Sequence, residues 1–210
     1  MIAISTAYKK VLVGVAINGK TAFKALESHC NHSENLLVCV DELLCKIDEN
    51  MSQNRDFAVV IGPGSFTGLR ISTALIKGFV SGGNGGAVVP ITTFKLMAYS
   101  YIKNHKVEKD FTCMINGLSG YYFICKFDKD GNQLSEEKLA TKDEIDFNDN
   151  AVCLEEESFT SIFVNPTAQE LLELAIIEKD KGNLKSAGEI SPLYLRKSQA
   201  EDSLELKEKK

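Results

Sequence analysis

The stretch Ala58-Val-Val-Ile-Gly-Pro-Gly-Ser-Phe-Thr-Gly-Leu-Arg-Ile-Ser72 holds the residues best suited to anion chemistry. The apolar run Ala58–Ile61 reads as a buried strand, and Gly62-Pro63-Gly64 breaks it. Ser65 or Thr67 can then cap a helix in which Ile71, Leu75 and Phe79 repeat at four-residue steps. Such a strand–turn–helix junction aims free backbone N–H groups out of a helix N-terminus, where negative charge is favoured. Gly62, Gly64, Ser65, Thr67 and Gly68 are therefore phosphate-loop candidates. Neither standard phosphate fingerprint fits. No Gly-Lys-Ser/Thr follows the glycines, and Gly62, Gly64 and Gly68 give GxGxxxG, one residue longer than the dinucleotide pattern. The same glycines also suit a tight turn with close helix–strand packing and no ligand. Ser65 is not in a GxSxG nucleophile elbow, because Pro63 and Phe66 disturb the required spacing.

Other chemistry-bearing residues are sparse. His29 and His32 flank Cys30, but two histidines supply two ligands and no carboxylate pair completes a shell, so no metal is expected. His105 lies in the polar segment Lys103–Lys106, and no nucleophile stands beside a base. Glu155-Glu156-Glu157 reads as a solvated loop. The six cysteines, Cys30, Cys39, Cys45, Cys113, Cys125 and Cys153, form no CxxC pair, which favours reduced thiols and a cytoplasmic location. No basic leader and no apolar run of roughly 20 residues is present, so neither export nor a membrane is expected. Net charge is −5, and no basic patch stands out for gripping RNA phosphates. Beyond about Lys197 lysines alternate with glutamates, as in a solvated polar tail.

These residues sit in a repeating frame. A strand over 1–7, an alternating strand over 11–17, the turn signal Asn18-Gly19 and a third strand over Thr21–Ser28 open the chain. A helix from about Ser33 to Glu49 follows, capped by Asn31 with Glu34 in support, its stripe Leu36, Leu37, Val40, Leu43, Leu44 and Ile47 facing inward. The 57–61 strand and a 66–80 helix complete the unit, and Gly82–Gly86 ends it. A helix over Thr92–Lys103 links to a looser repeat. That repeat has strands at Phe111–Ile115, Tyr121–Phe127 and Gln133–Leu139, with Asp130-Gly131 as a turn and a short helix after Thr141. Brief strands at Ala151–Leu154 and Ser161–Val164 follow, then a helix opened by Pro166 with Leu171, Leu172, Ala175 and Ile176 inward. The fold class is α/β: two tandem βββαβα-like halves, the second reduced, with three antiparallel strands feeding parallel ones. The expected units are 1–103, 104–196 and a tail, 197–210.

GPGSFTGLRIS and its helix resemble the signature of the TsaB family, in the actin-like ATPase/Hsp70 superfamily. His32-Ser-Glu-Asn-Leu-Leu37 resembles that family's HSExLL helix start, Pro192-Leu-Tyr-Leu-Arg196 with Ala200 its PxYLR…A, and Ile2–Thr6 its first strand, in the same order and spacing. The resemblance runs to about Ala200. It implies a partner subunit, non-catalytic by itself, for threonylcarbamoylation of tRNA adenosine next to the anticodon. Its main partner would be the transferase TsaD. TsaE and a second TsaB would join the assembly, tRNA would be met indirectly, and ATP or ADP would enter only at the level of the complex. It further implies a helical-bundle interface at His32, Glu34, Leu37, Leu69, Arg70, Thr73, Ala74, Lys77 and Gly78. The residues add two reasons of their own: the 66–80 helix is apolar nearly all round, and Ala74 and Gly78, four apart, allow close helix approach.

Two departures bear on activity. The superfamily's metal-placing Asp at the end of the first strand is Ser5 here, and a hydroxyl cannot balance a Mg²⁺-bound phosphate as a carboxylate does. Asn116-Gly-Leu-Ser-Gly120 stands where relatives carry a charged turn. The family's older glycopeptidase label finds no catalytic constellation here. Two rivals stay open: a small actin-like ATPase or kinase acting alone, and a self-associating scaffold unrelated to tRNA.

Overall fold

The computed structural model describes residues 1–27, 32–54, 56–83, 85–117, 119–145, 150–154 and 162–196, with the side chains of 32–34 and 53 excepted. Two five-stranded sheets share one plan. The first contains β1 (Ile2–Ser5), β2 (Lys10–Ile17), β3 (Lys20–Glu27), β4 (Asp56–Gly62) and β5 (Ala87–Thr92), in spatial order β3-β2-β1-β4-β5. The second contains β6 (Phe111–Asn116), β7 (Tyr121–Phe127), β8 (Lys138–Thr141), β9 (Asn150–Cys153) and β10 (Ile162–Phe163), in order β10-β9-β6-β7-β8. In each, the three leading strands pair antiparallel and the last two add in parallel on the other side of the first. The duplication expected from element order is thus a duplication of topology.

Local chemistry explains the joins. Asn18 and Gly19, at φ 52° and 77°, make the two-residue turn that suits the twist of the β2–β3 hairpin. Helix α1 (His32–Lys46) carries Leu36, Val40, Leu43 and Leu44 inward onto the first sheet. Helix α2 (Phe66–Gly82) lies beside it on the same face and adds Ile76, Leu75 and Phe79 to that core. Helix α3 (Thr93–Asn104) is capped by Thr92, whose hydroxyl accepts the Lys95 N–H at 3.1 Å. It serves both sheets: Leu96 packs on the first, whereas Phe94, Met97 and Tyr101 pack on Phe111, Cys113 and Phe127 of the second.

Helix α4 (Ala168–Asp180) begins with a reciprocal Thr167–Glu170 capping box. It does not stay with the strands that precede it. Leu171, Leu172 and Ala175 cover the second face of the first sheet, over Ala3, Leu12, Ala58 and Val60. Gly14 lets it settle there, since a Cβ at that position would stand 2.8 Å from Leu172 Cβ. A row of polar contacts ties α4 to α3. Lys95 meets Glu178 at 2.5 Å, Tyr99 and Lys103 both reach Glu173, and Ser100 and Asn104 reach Glu170.

Several expectations shift. The third strand of the second half is Lys138–Thr141, not Gln133–Leu139, because the Asp128 carboxylate accepts the Asp130 and Asn132 N–H groups and the Ser135 hydroxyl takes the Lys126 N–H. That side-chain-held loop displaces the strand, leaving Gln133 with an isolated bridge to Phe127. Strand β5 was not anticipated: Pro90 is tolerated because this is an edge strand. The Lys142–Glu144 segment is a single 3-10 turn. Ile176 is 37% exposed and Leu37 52% exposed, so both leave the inward stripes assigned to them. Asn31, His29, Cys30, Glu155–Glu157, Ser161 and the 197–210 tail lie outside the described residues.

Candidate partner interface

The glycine loop is built around the β1–β2 turn. A Cβ on Gly64 would lie 2.1 Å from the Ala7 carbonyl oxygen, and one on Gly68 2.0 Å from the Thr6 carbonyl oxygen. The contact is cemented by hydrogen bonds. Ser65 N–H donates to Ala7 O at 2.7 Å, Thr6 Oγ1–H to Gly68 O at 2.5 Å, and Thr93 Oγ1–H to Pro63 O at 2.6 Å. Ser65 Oγ caps α2 by accepting the Gly68 N–H at 3.2 Å, while Thr67 faces solvent. Gly62, at φ 121°, has the Leu193 carbonyl where a Cβ would point, 2.8 Å away. Each glycine in the string therefore has a packing reason, and the Ser65 and Gly68 amides are engaged within the chain.

Ser5, at the end of β1, is buried and lines a cavity of about 380 Å³ beside the β1–β2 turn, together with Lys9, Lys10, Leu96, Phe163 and Pro166. Glu27 is the carboxylate among its lining residues. Among the described residues no three His, Cys, Asp or Glu side chains are placed to share a metal ion, and no helix is long and apolar enough to cross a membrane. The turn after β6 closes through Gly117 N–H to Tyr121 O at 2.8 Å, and Arg196 binds the Gly117 carbonyl at 3.1 Å.

The exposed side of α1 and α2 forms one continuous surface. On α1, Leu37 and Val38 are 52% and 54% exposed. Glu42 reaches Lys24 on β3 at 2.5 Å, so Leu37, on the opposite flank, lies toward α2. On α2, Ile71, Leu75 and Phe79 turn toward the core shared with α1, which leaves Thr67, Arg70, Ala74 and Gly78 outward and Lys77 half-buried. A Cβ on Gly78 would meet nothing within 4 Å. The interface set thus divides. Leu37, Arg70, Ala74, Lys77 and Gly78 share this surface. Leu69 and Thr73 do not: Leu69 is fully buried against the second face of the sheet, and Thr73 is 4% exposed with its hydroxyl unpartnered. These two expectations are corrected, because α2 turns that stripe into its own core. His32 and Glu34 begin α1, and their side chains lie outside the described set.

Sequence reasoning missed the meeting of two distant motif segments. Leu193 N–H donates to Ile61 O at 2.7 Å and brings the 192–196 segment onto the glycine loop. Tyr194 then stacks on Phe66, ring centroids 4.5 Å apart, and its hydroxyl accepts Arg70 Nε–H at 3.0 Å. The Arg70 guanidinium also lies 3.9 Å from the Phe66 ring centroid. A Phe and an Arg one helical turn apart, with a distant Tyr, were the available signal.

Two sheets of identical strand order, joined by a shared helix, are the duplicated α/β architecture of the actin-like ATPase superfamily. Solved structures agree on the fold. A Pseudomonas aeruginosa protein described as similar to the peptidase YeaZ superposes at TM-score 0.79 with 18% identity, over 93% of this chain and 98% of that one. YeaZ from the same organism superposes at 0.78 with 17% identity, over 92% and 98%. The family model for TsaD, tRNA N6-adenosine threonylcarbamoyltransferase, matches residues 26–152. The tRNA threonylcarbamoyladenosine biosynthesis protein TsaB of Haemophilus influenzae is 27% identical over 93% of both chains. The TsaB of Buchnera aphidicola is 32% identical over 47% of this chain and 44% of its own. The chain belongs to the TsaD family, in its TsaB group.

Proposed function

We propose that the chain is an accessory subunit for threonylcarbamoylation of tRNA adenosine, docking a TsaD-type transferase through the α1–α2 surface and contributing no catalytic group of its own. The observation that carries this reading is the open outer face of α2. Ala74 and Gly78 are exposed, space above Gly78 is empty, and the exposed Leu37 of α1 lies on the flank turned toward them. A second helix can approach such a surface closely, and burying it holds the partner in one orientation. TsaE and a second copy of this chain are further members of the proposed assembly. Nucleotide and tRNA are met through the complex, in the cytoplasm.

Gly78→Glu tests this. The open space lets the variant fold, so circular dichroism should remain native, whereas a charge placed in the docked helix contact should abolish co-purification with the host's TsaD. Retained binding by the folded variant would move the interface elsewhere. The cavity beside Ser5 favours a second reading, a stand-alone ATPase. Tight Mg²⁺-dependent ATP binding with robust turnover by the isolated chain would favour it; the accessory reading expects neither.

A further inference from the structure

Arg70 and Lys77 both bring a positive charge to the α1–α2 surface that no carboxylate among the described residues answers, and Arg70 is the more exposed of the two. Helix α2 contains no Asp or Glu, and among the described residues no carboxylate pairs with Arg70. Yet the side chain is held in place. Its guanidinium lies on the Phe66 ring at 3.9 Å and 5.8 Å from the Tyr194 centroid, and the Tyr194 hydroxyl fixes Nε at 3.0 Å. Nε is the one nitrogen of the fork so engaged. The two terminal amino groups of an exposed Arg70 remain available.

An unpaired surface cation normally keeps a long, loose side chain in water. Here the conformational entropy of the side chain is already lost on folding, and the fork is aimed before anything binds. Covering this surface, as the proposed docking requires, strips water from Arg70, and a buried cation without a counter-charge weakens an interface severely. The planar fork matches a carboxylate through two parallel N–H···O bonds. The chain's net charge of −5 offers no field to gather nucleic-acid phosphates, so a protein carboxylate is favoured over RNA.

We propose that Arg70, pre-set by Phe66 and Tyr194, is the charged anchor of the interface and receives a bidentate Asp or Glu carboxylate from the partner protein. This rests on the docking reading above and names the chemistry the partner must bring.

Titration calorimetry of the full-length chain against the host's TsaD, at two salt concentrations, tests it. Arg70→Lys keeps the charge but loses the fork and should weaken binding about tenfold; Arg70→Ala should weaken it about 100-fold and flatten the salt dependence. Tyr194→Phe removes only the orienting hydroxyl and should weaken binding by about threefold to tenfold. These losses together support the anchor. Affinity within a factor of two for Arg70→Lys and Arg70→Ala, with Gly78→Glu still abolishing binding, overturns the anchor and leaves the docking surface standing. Full binding by Gly78→Glu as well overturns both. Undiminished TsaD affinity with loss of tRNA retention by the complex would assign Arg70 to phosphate instead and overturn the carboxylate.

Discussion

Gly68 and Gly78 lie on one helix, and the same substitution should act on them with opposite sign. Replacing either by Ala in a helix interior gains up to about 1 kcal/mol of propensity. At Gly78 nothing opposes that gain, since a Cβ finds nothing within 4 Å. At Gly68 the new methyl would stand 2.0 Å from the Thr6 carbonyl oxygen, a backbone atom of the buried β1–β2 turn rather than the end of a flexible side chain. The helix start must retreat by about 1 Å to restore contact distance, which overpacks the junction at a cost of about 1–3 kcal/mol. The retreat also loosens the hydrogen bonds from Thr6 Oγ1 to Gly68 O and from Ser65 N–H to Ala7 O, each contributing about 1 kcal/mol. Net destabilisation is about 2–4 kcal/mol. A chain of this length moves its Tm by about 2–4 °C per kcal/mol, so Gly68→Ala should lower Tm by roughly 5–15 °C while Gly78→Ala raises it by roughly 1–3 °C. Differential scanning calorimetry of the two variants side by side measures the contrast. A Gly68→Ala protein melting with the parent would refute the packing account of the glycine loop, and a destabilised Gly78→Ala would refute the open helix face.

Leu69→Ala should cost about 2–5 kcal/mol and Leu37→Ala less than about 1 kcal/mol by urea denaturation, since the first is fully buried and the second 52% exposed; equal costs would show the phase of α1 or α2 to be wrong. Burial raises the Glu178 carboxyl, but the Lys95 hydrogen bond and charge, with Asn183 and Lys181, outweigh it and hold the group below its ordinary value. A depressed carboxyl contributes stability that is complete above the unfolded value, near 4.5, and is lost as pH falls through the folded one. Glu178→Gln should therefore lower Tm at pH 7, by the equivalent of about 2 kcal/mol, and shrink the drop between pH 7 and pH 3; an unchanged acid limb would remove Glu178 from the α3–α4 coupling.

Much of the frame was legible because strong local signals agree. Asn18-Gly19 fixed one hairpin, the apolar run before Gly62 marked β4, and Ser65 marked the start of α2. The second half was harder to read, since Asp128 and Ser135 hold a loop by side-chain bonds that leave no periodicity. Pro90 disguised β5, although an edge position accepts it. The candidate interface was half legible for a different reason. A helix apolar nearly all round does not reveal its phase, so Leu69 and Thr73 looked as eligible as Ala74 and Gly78 until the sheet beneath them was known. The Phe66–Arg70–Tyr194 cluster joins residues 124 apart in the chain, a separation at which spacing carries no information.

The return of α4 to the first sheet has a consequence for the order in which the protein is made. The apolar face formed by Ala3, Leu12, Ala58, Val60, Val89 and Ile91 is complete once β5 has left the ribosome; Leu69 and Leu96 cover part of it early, but the helix that covers the rest begins at Ala168. At about 5–20 residues per second the growing chain carries that face only partly covered for several seconds, while an entire second sheet is synthesised in between. Neither half can finish its core from its own residues. A helix made after the second sheet completes the first-made sheet, so a product truncated or stalled before α4 leaves a sticky β-surface for chaperones or proteases to find.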